Sequence, residues 1–154
     1  MRIAIGGDHR GHDAIVHLAD HLRGMGHEVQ VLGPLTREPC DYTDGAFAVA
    51  NAVADQKADF GVLVCGTGIG TCISANKVRG IRAALVHDEI TAQMSRSHND
   101  ANVVCLSADL LGIRLMDKII DTCLTTTFSA GRHMRRVRKL AAIERGEDPA
   151  KAAE

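Results

Sequence analysis

Apolar and polar positions alternate along this chain in a regular order. Short runs rich in Val, Ile and Leu occupy 3–5, 28–32, 60–64, 81–86 and 103–106, and each has the length of a buried strand. Between and after them, 12–23, 46–55, 71–78, 89–97, 110–124 and 132–145 carry helical periodicity. Strand and helix in turn predict an α/β fold: a five-stranded parallel sheet with helices on both faces, a three-layer α/β/α Rossmann-like arrangement. In such folds a ligand binds beyond the carboxyl ends of the strands. The residues that follow the strands therefore matter most: Gly6-Gly7-Asp8-His9, Gly33-Pro34, Cys65-Gly66-Thr67-Gly68 and His87-Asp88. No repeat or composition break divides the chain, so 1–145 reads as one domain, and 146–154, without an apolar face, as a flexible tail.

Composition sharpens this picture. The 154 residues suffice for a core without disulfides or structural metal. Nearly half are hydrophobic, yet there is no Trp, one Tyr and three Phe, so aliphatic side chains must build the core. A formal net charge of -1 argues against a general nucleic-acid or membrane-surface binder. No apolar stretch reaches the length of a membrane span, and the opening strand leaves no room for a signal peptide. Five irregularly spaced cysteines fit a reduced, cytoplasmic protein better than a disulfide framework.

The densest chemistry lies at the end of the third run. There Cys65 is followed by Gly66-Thr67-Gly68-Ile69-Gly70 and the start of a helix. Strand, glycine turn and helix N-terminus make an anion cradle, because the first N–H groups of a helix lack internal partners. A thiol at its lip is placed to take a proton, since the positive end of the helix favours an anion. Neither this turn nor Gly6-Gly7-Asp8-His9-Arg10-Gly11 is a nucleotide motif. The third fingerprint glycine would fall on Thr71, and His12-Asp13 stands where a phosphate loop needs Lys and Ser or Thr. Glycines alone could equally serve tight turns. Asp8-His9 at a strand end favours a small-anion site over that bland reading.

Other candidates are weaker alone. His17 and His21 share the spacing of a zinc helix, but Leu18 stands where its glutamate would, so they are expected on a solvated face and no metal is expected. Asp88 should cap a helix ending near Ser97. His98 would follow its carbonyl end, a position that suits an acid, although His98 and Asn99 could simply be polar turn residues. Arg132 and Arg136, one turn apart, could form a phosphate fork. Arg135, Arg138 and Lys139 read as a solvated face.

Taken together, Gly7-Asp8-His9, Asp41-Tyr42, Cys65 to Gly70, Ala75-Asn76-Lys77, Gly80-Ile81-Arg82-Ala83, Ser97 to Asn102 and Gly131-Arg132-His133 resemble the type B ribose-5-phosphate isomerases and their allose- and galactose-6-phosphate relatives. The resemblance runs from Met1 to about Arg145. It implies an aldose–ketose isomerisation of a sugar phosphate through an enediolate, in the pentose phosphate pathway, with no cofactor and no metal. By the same resemblance Cys65 is the base, with Asp8 handling a hydroxyl proton and Thr67 bonding a substrate oxygen. His98 opens the furanose ring and Asn99 holds the substrate chain. The N–H groups of Gly66, Gly68, Ile69 and Gly70 would stabilise the oxyanion, and His9, Arg132 and Arg136 would bind substrate and phosphate. The family's site lies between subunits, which implies a homodimer or a dimer of dimers.

Two departures stand out. Where the family carries a phosphate-contacting arginine, this chain has Asp109 in Ser107-Ala108-Asp109-Leu110-Leu111-Gly112, and the family's Asp-Tyr-Pro is Asp41-Tyr42-Thr43. Asp109 is then expected either to point at Arg132 or Arg136 or to accompany a different substrate end. Ribose 5-phosphate to ribulose 5-phosphate is the first expectation. Allose or galactose 6-phosphate, a tetrose or tetrulose phosphate, or a non-catalytic sugar-phosphate-binding subunit are the alternatives.

Overall fold

The computed structural model describes residues 1–33 and 35–151, and in it every apolar run becomes a strand. The elements are β1 (Arg2–Gly7), α1 (His12–Gly24), β2 (Glu28–Leu32), α2 (Tyr42–Ala54), β3 (Phe60–Cys65) and α3 (Ile69–Ala75). They continue with β4 (Ala83–Leu85), α4 (Glu89–Ser97), β5 (Val103–Ser107), α5 (Ile113–Thr125) and α6 (Arg132–Glu144). A 3-10 turn, His9–Gly11, joins β1 to α1. All strand pairings are parallel, in the order β2-β1-β3-β5-β4.

That order positions the site. From β1 the chain moves outward to β2, then returns past β1 to add β3 on the other side. The helices that follow β1 and β3 therefore lie on opposite faces, leaving a crevice at the carboxyl ends of these two strands. Asp8 and Cys65 both stand at that crevice, and Asp8 N–H donates to the Val64 carbonyl at 3.3 Å.

Side-chain alternation along the strands builds two cores. Ile3, Ile5, Phe60, Val62, Val64, Val104 and Leu106 pack against α1 and α5 through Ile15, Leu18, Leu22, Met116, Ile119 and Ile120. Ala4, Leu63, Val103 and Cys105 face the other way, against Val49, Val53 and Ala75 of α2 and α3. The same parity directs Cys65, two residues after Leu63, to the α2–α3 side.

Element ends depart from the periodicity where tertiary packing intervenes. Helix α2 starts at Tyr42 and carries Gly45 against β1, where a Cβ would lie 2.2 Å from the Gly7 carbonyl oxygen. Strand β4 is an edge and pairs over only three residues. Helix α5 starts late because Ser107 holds the preceding loop, its Oγ accepting Leu110 N–H at 3.1 Å. Asp88 caps α4, its Oδ1 accepting Thr91 N–H at 2.6 Å.

The expected tail at 146–154 lies partly outside the described residues, as does Pro34. Within them, Glu147 N–H bonds the Ala142 carbonyl and its carboxylate pairs with Arg145. No helix among the described residues is long and apolar enough to cross a membrane.

Candidate active site

Cys65 ends β3 and is buried, 4% exposed. Gly68 adopts a left-handed conformation, φ 76°, which folds the turn back so that its N–H points at Sγ from 3.1 Å. Thr71 Oγ1 lies 3.4 Å from the same sulfur while donating its proton to the Gly68 carbonyl at 3.0 Å. A hydroxyl has one proton, so Thr71 accepts from the thiol in this arrangement, and it can turn to donate once the sulfur is ionised. Thr71 is a residue the sequence reading passed over, because only the turn brings it back over the thiol. Thr67 is exposed and accepts the Ile69 N–H at 3.3 Å. Tyr42 lies over Gly70, where a Cβ would come within 2.7 Å of its ring.

Asp8 reaches the same crevice from β1. It is 7% exposed, and its Oδ1 accepts the N–H groups of Arg10 and Gly11 at 3.0 and 3.1 Å. These bonds fix the 3-10 turn beside the thiol. His9 Nδ1 sits 3.2 Å from Cys40 N, which ties the chain just before α2 to the crevice. Asp109 takes part as well, but not as expected. It pairs with neither Arg132 nor Arg136. Instead Arg10 Nε and Nη2 donate to its two oxygens at 3.2 and 2.7 Å. The sequence pattern does not announce this partner, because Arg10 and Asp109 are 99 residues apart and meet only through the β1–β3–β5 order.

His98, Asn99, Arg132 and Arg136 form a second group elsewhere. His98 ends α4, and its ring stacks on His133 at 4.1 Å with planes 5° apart. His133, at the start of α6 between the two arginines, belongs to the Gly131-Arg132-His133 motif but carries no role in the sequence analysis. Burial, then His98, Arg132 and Arg136, hold its imidazole below the ordinary value. Arg82 clamps the intervening turn, its Nε and Nη2 donating to the Asp100 carbonyl at 2.9 and 2.6 Å. This group sits at the amino end of the sheet: Gly61 N–H bonds the Asn102 carbonyl, and Gly61 pairs with Val103. Cys65 pairs with Ser107 at the other end. Four residue steps, about 13 Å of strand, separate the two groups along the sheet. Within one chain the two groups thus lie at opposite ends of the sheet. Beside the second, a groove of about 400 Å³ is lined by Arg82, Asn99, Leu140 and Ile143 among others.

The histidine pair on α1 lies on a solvent-facing side, His17 exposed and His21 half-buried, and also bridges to α5, each Nε2 lying 2.8 Å from the carboxylate of Asp117 or Asp121. Among the described residues no three His, Cys, Asp or Glu side chains gather as a metal would require.

Comparison with known proteins bears on the whole chain. The Ribose/Galactose Isomerase family matches residues 3–140. Ribose-5-phosphate isomerase B of Escherichia coli is 42% identical over 147 residues, 93% of this chain and 96% of that one. D-erythrulose-4-phosphate isomerase of Pectobacterium atrosepticum is 40% identical over 149 residues, covering 96% and 97%. The solved structure of Clostridium thermocellum ribose-5-phosphate isomerase B superposes with a TM-score of 0.94 at 44% identity, over 95% of this chain and 99% of that one. With a sheet, a thiol crevice and a sequence match that all run the length of the fold, this chain belongs to the Ribose/Galactose Isomerase family.

Proposed function

We propose that this protein interconverts D-ribose 5-phosphate and D-ribulose 5-phosphate in sites that two copies of the chain build together. The broader activity, aldose–ketose isomerisation of a sugar phosphate, follows from the family. The observation that carries the chemistry is the Cys65 thiol, ringed by a backbone N–H and a hydroxyl at the sheet's switch point.

His98 of one copy protonates the ring oxygen as the furanose opens. Cys65 of the other takes the proton from C2 of the open aldose and returns it to C1 of the enediolate. The O2 hydroxyl proton moves to O1 with the help of Asp8, whose Oδ1 is held by the turn. The N–H groups of the 66–70 turn stabilise the oxygen on which charge develops. Thr67 and Asn99 hold the substrate chain, and His9, Arg132 and Arg136 its phosphate end. Every step is a proton transfer, so neither metal nor organic cofactor is called for.

Two features support the paired site. The half-sites cannot serve one substrate within one chain, and α2–α3 presents Tyr42, Phe47, Ile69 and Ile73 exposed beside the thiol crevice, an apolar face suited to a second copy. Five free cysteines accord with the cytoplasm. A binding-only subunit would have no use for a thiol so held.

The test is isomerisation of ribose 5-phosphate, allose 6-phosphate, galactose 6-phosphate and erythrose 4-phosphate by the purified protein and by Cys65→Ala. Ribose 5-phosphate should be turned over fastest, and the variant should lose about 10²–10⁴-fold. Preference for another sugar replaces the substrate, while near-normal turnover by a folded Cys65→Ala removes the base.

A further inference from the structure

The Arg10–Asp109 pair is built into the thiol crevice from both sides. On the arginine side, Asp8 fixes the backbone N–H groups of Arg10 and Gly11. Gly11 also packs against β3 so closely that a Cβ would lie 2.3 Å from the Val64 carbonyl oxygen. On the aspartate side, Asp109 N–H donates to the Gly66 carbonyl at 3.0 Å and Ala108 N–H to the Cys65 carbonyl at 2.9 Å. Ser107 Oγ adds a bond to the same Gly66 carbonyl at 2.7 Å. The pair spans the floor of the glycine turn. A Cβ on Gly66 would stand 2.9 Å from Arg10 Nε and 3.0 Å from Asp109 Oδ2.

Stability does not explain this construction. The two side chains are 57% and 37% exposed, and ion pairs so open to water contribute little to folding. What the two-point bond does is aim a guanidinium. Of its five N–H groups, Nε–H and one on Nη2 go to Asp109, which leaves three in a rigid plane for a ligand. That plane begins beside the residue after Cys65. A short sugar whose reacting carbons meet Sγ brings its phosphate within reach of it. A planar fork matches phosphate oxygens bidentately.

Resting on the sugar-phosphate reading above, we infer that Arg10 holds the substrate's phosphate in the Cys65 half-site, with Asp109 as its positioning residue.

The experiment measures kcat and KM for ribose 5-phosphate, and calorimetric binding of ribitol 5-phosphate, which has no carbonyl to isomerise. Wild type is compared with Arg10→Ala, Arg10→Lys, Asp109→Ala and the double variant Arg10→Ala/Asp109→Ala. Arg10→Ala should weaken ribitol 5-phosphate binding and raise KM by about tenfold or more, with a smaller fall in kcat. Arg10→Lys should restore part of the loss, and Asp109→Ala should raise KM alone yet add nothing in the double variant. Binding within twofold of wild type in folded Arg10→Ala overturns the assignment, as does a loss confined to kcat. An Asp109→Ala effect that adds fully to Arg10→Ala overturns the positioning role. Wild type that isomerises no sugar phosphate removes the functional reading itself, whereas active wild type with unaffected Arg10 variants removes only this inference.

Discussion

Cys65→Ala and His98→Asn each disable one of the two half-sites, and mixing them should restore activity to ribose 5-phosphate that neither has alone. The reason is distance. The β3–β5 register runs from Gly61 opposite Val103 to Cys65 opposite Ser107, so about 13 Å of strand lies between the thiol and the turn that carries His98. A proton is passed only within hydrogen-bond reach, about 3 Å, so the two groups of one chain cannot share a substrate. In a mixed dimer, one site draws Cys65 from the His98→Asn chain and His98 from the Cys65→Ala chain and is intact. The other site carries both defects. If subunits reassociate at random, about half the dimers are mixed and half their sites native, so about a quarter of wild-type activity should return. The parents alone should sit about 10²-fold or more below wild type. The assay is ribulose 5-phosphate formation after the two variants are unfolded together and refolded, beside each refolded alone. A mixture no more active than the mean of its parents would refute the shared site.

Thr71→Val removes the hydroxyl between Cys65 Sγ and the Gly68 carbonyl; it should cost about 1 kcal/mol in melting experiments and lower kcat, and an unchanged kcat would take Thr71 out of the thiol's environment. Gly45→Ala forces a methyl against the Gly7 carbonyl and should destabilise by about 1–3 kcal/mol; thermal melts within error of wild type would contradict the close helix–strand approach. Burial and the neighbouring His98 and arginines keep His133 neutral below the pH at which an unfolded histidine protonates. The unfolded chain therefore takes up the extra proton as pH falls from about 6.5 through the lower folded value, and stability drops across that window. His133→Asn should lessen the loss between melts at about pH 7.5 and pH 5.5, and an equal loss in both proteins would exclude His133 as its source. Finally, iodoacetamide should label Cys72 before Cys105 or Cys123. A hydrogen bond from Cys105 pulls the half-buried Cys72 down to about 7, while burial pushes Cys105 up and Cys123 to about 12. Mass mapping that finds Cys123 labelled first would contradict this order.

Local pattern determined a good deal of this protein. Strand runs of alternating parity, the Asp88 cap and the glycine turn after Cys65 are each written within a few consecutive residues. Their geometry depends on backbone propensity and on side chains one or two turns away. From them follow the α/β class, the number of strands and the thiol at a strand's carboxyl end. The resemblance, carried by scattered motifs, added the activity.

What the pattern could not hold is the order in which the strands assemble, because pairing is decided by which faces bury best when all segments compete at once. That order alone brings Arg10 to Asp109 across 99 residues and sets His17 and His21 beside Asp117 and Asp121 of α5. It also sets His98 and Cys65 at opposite ends of one sheet. Each motif was legible by itself, but whether two motifs face each other depends on where the chain turns back, and only the packed sheet fixes that.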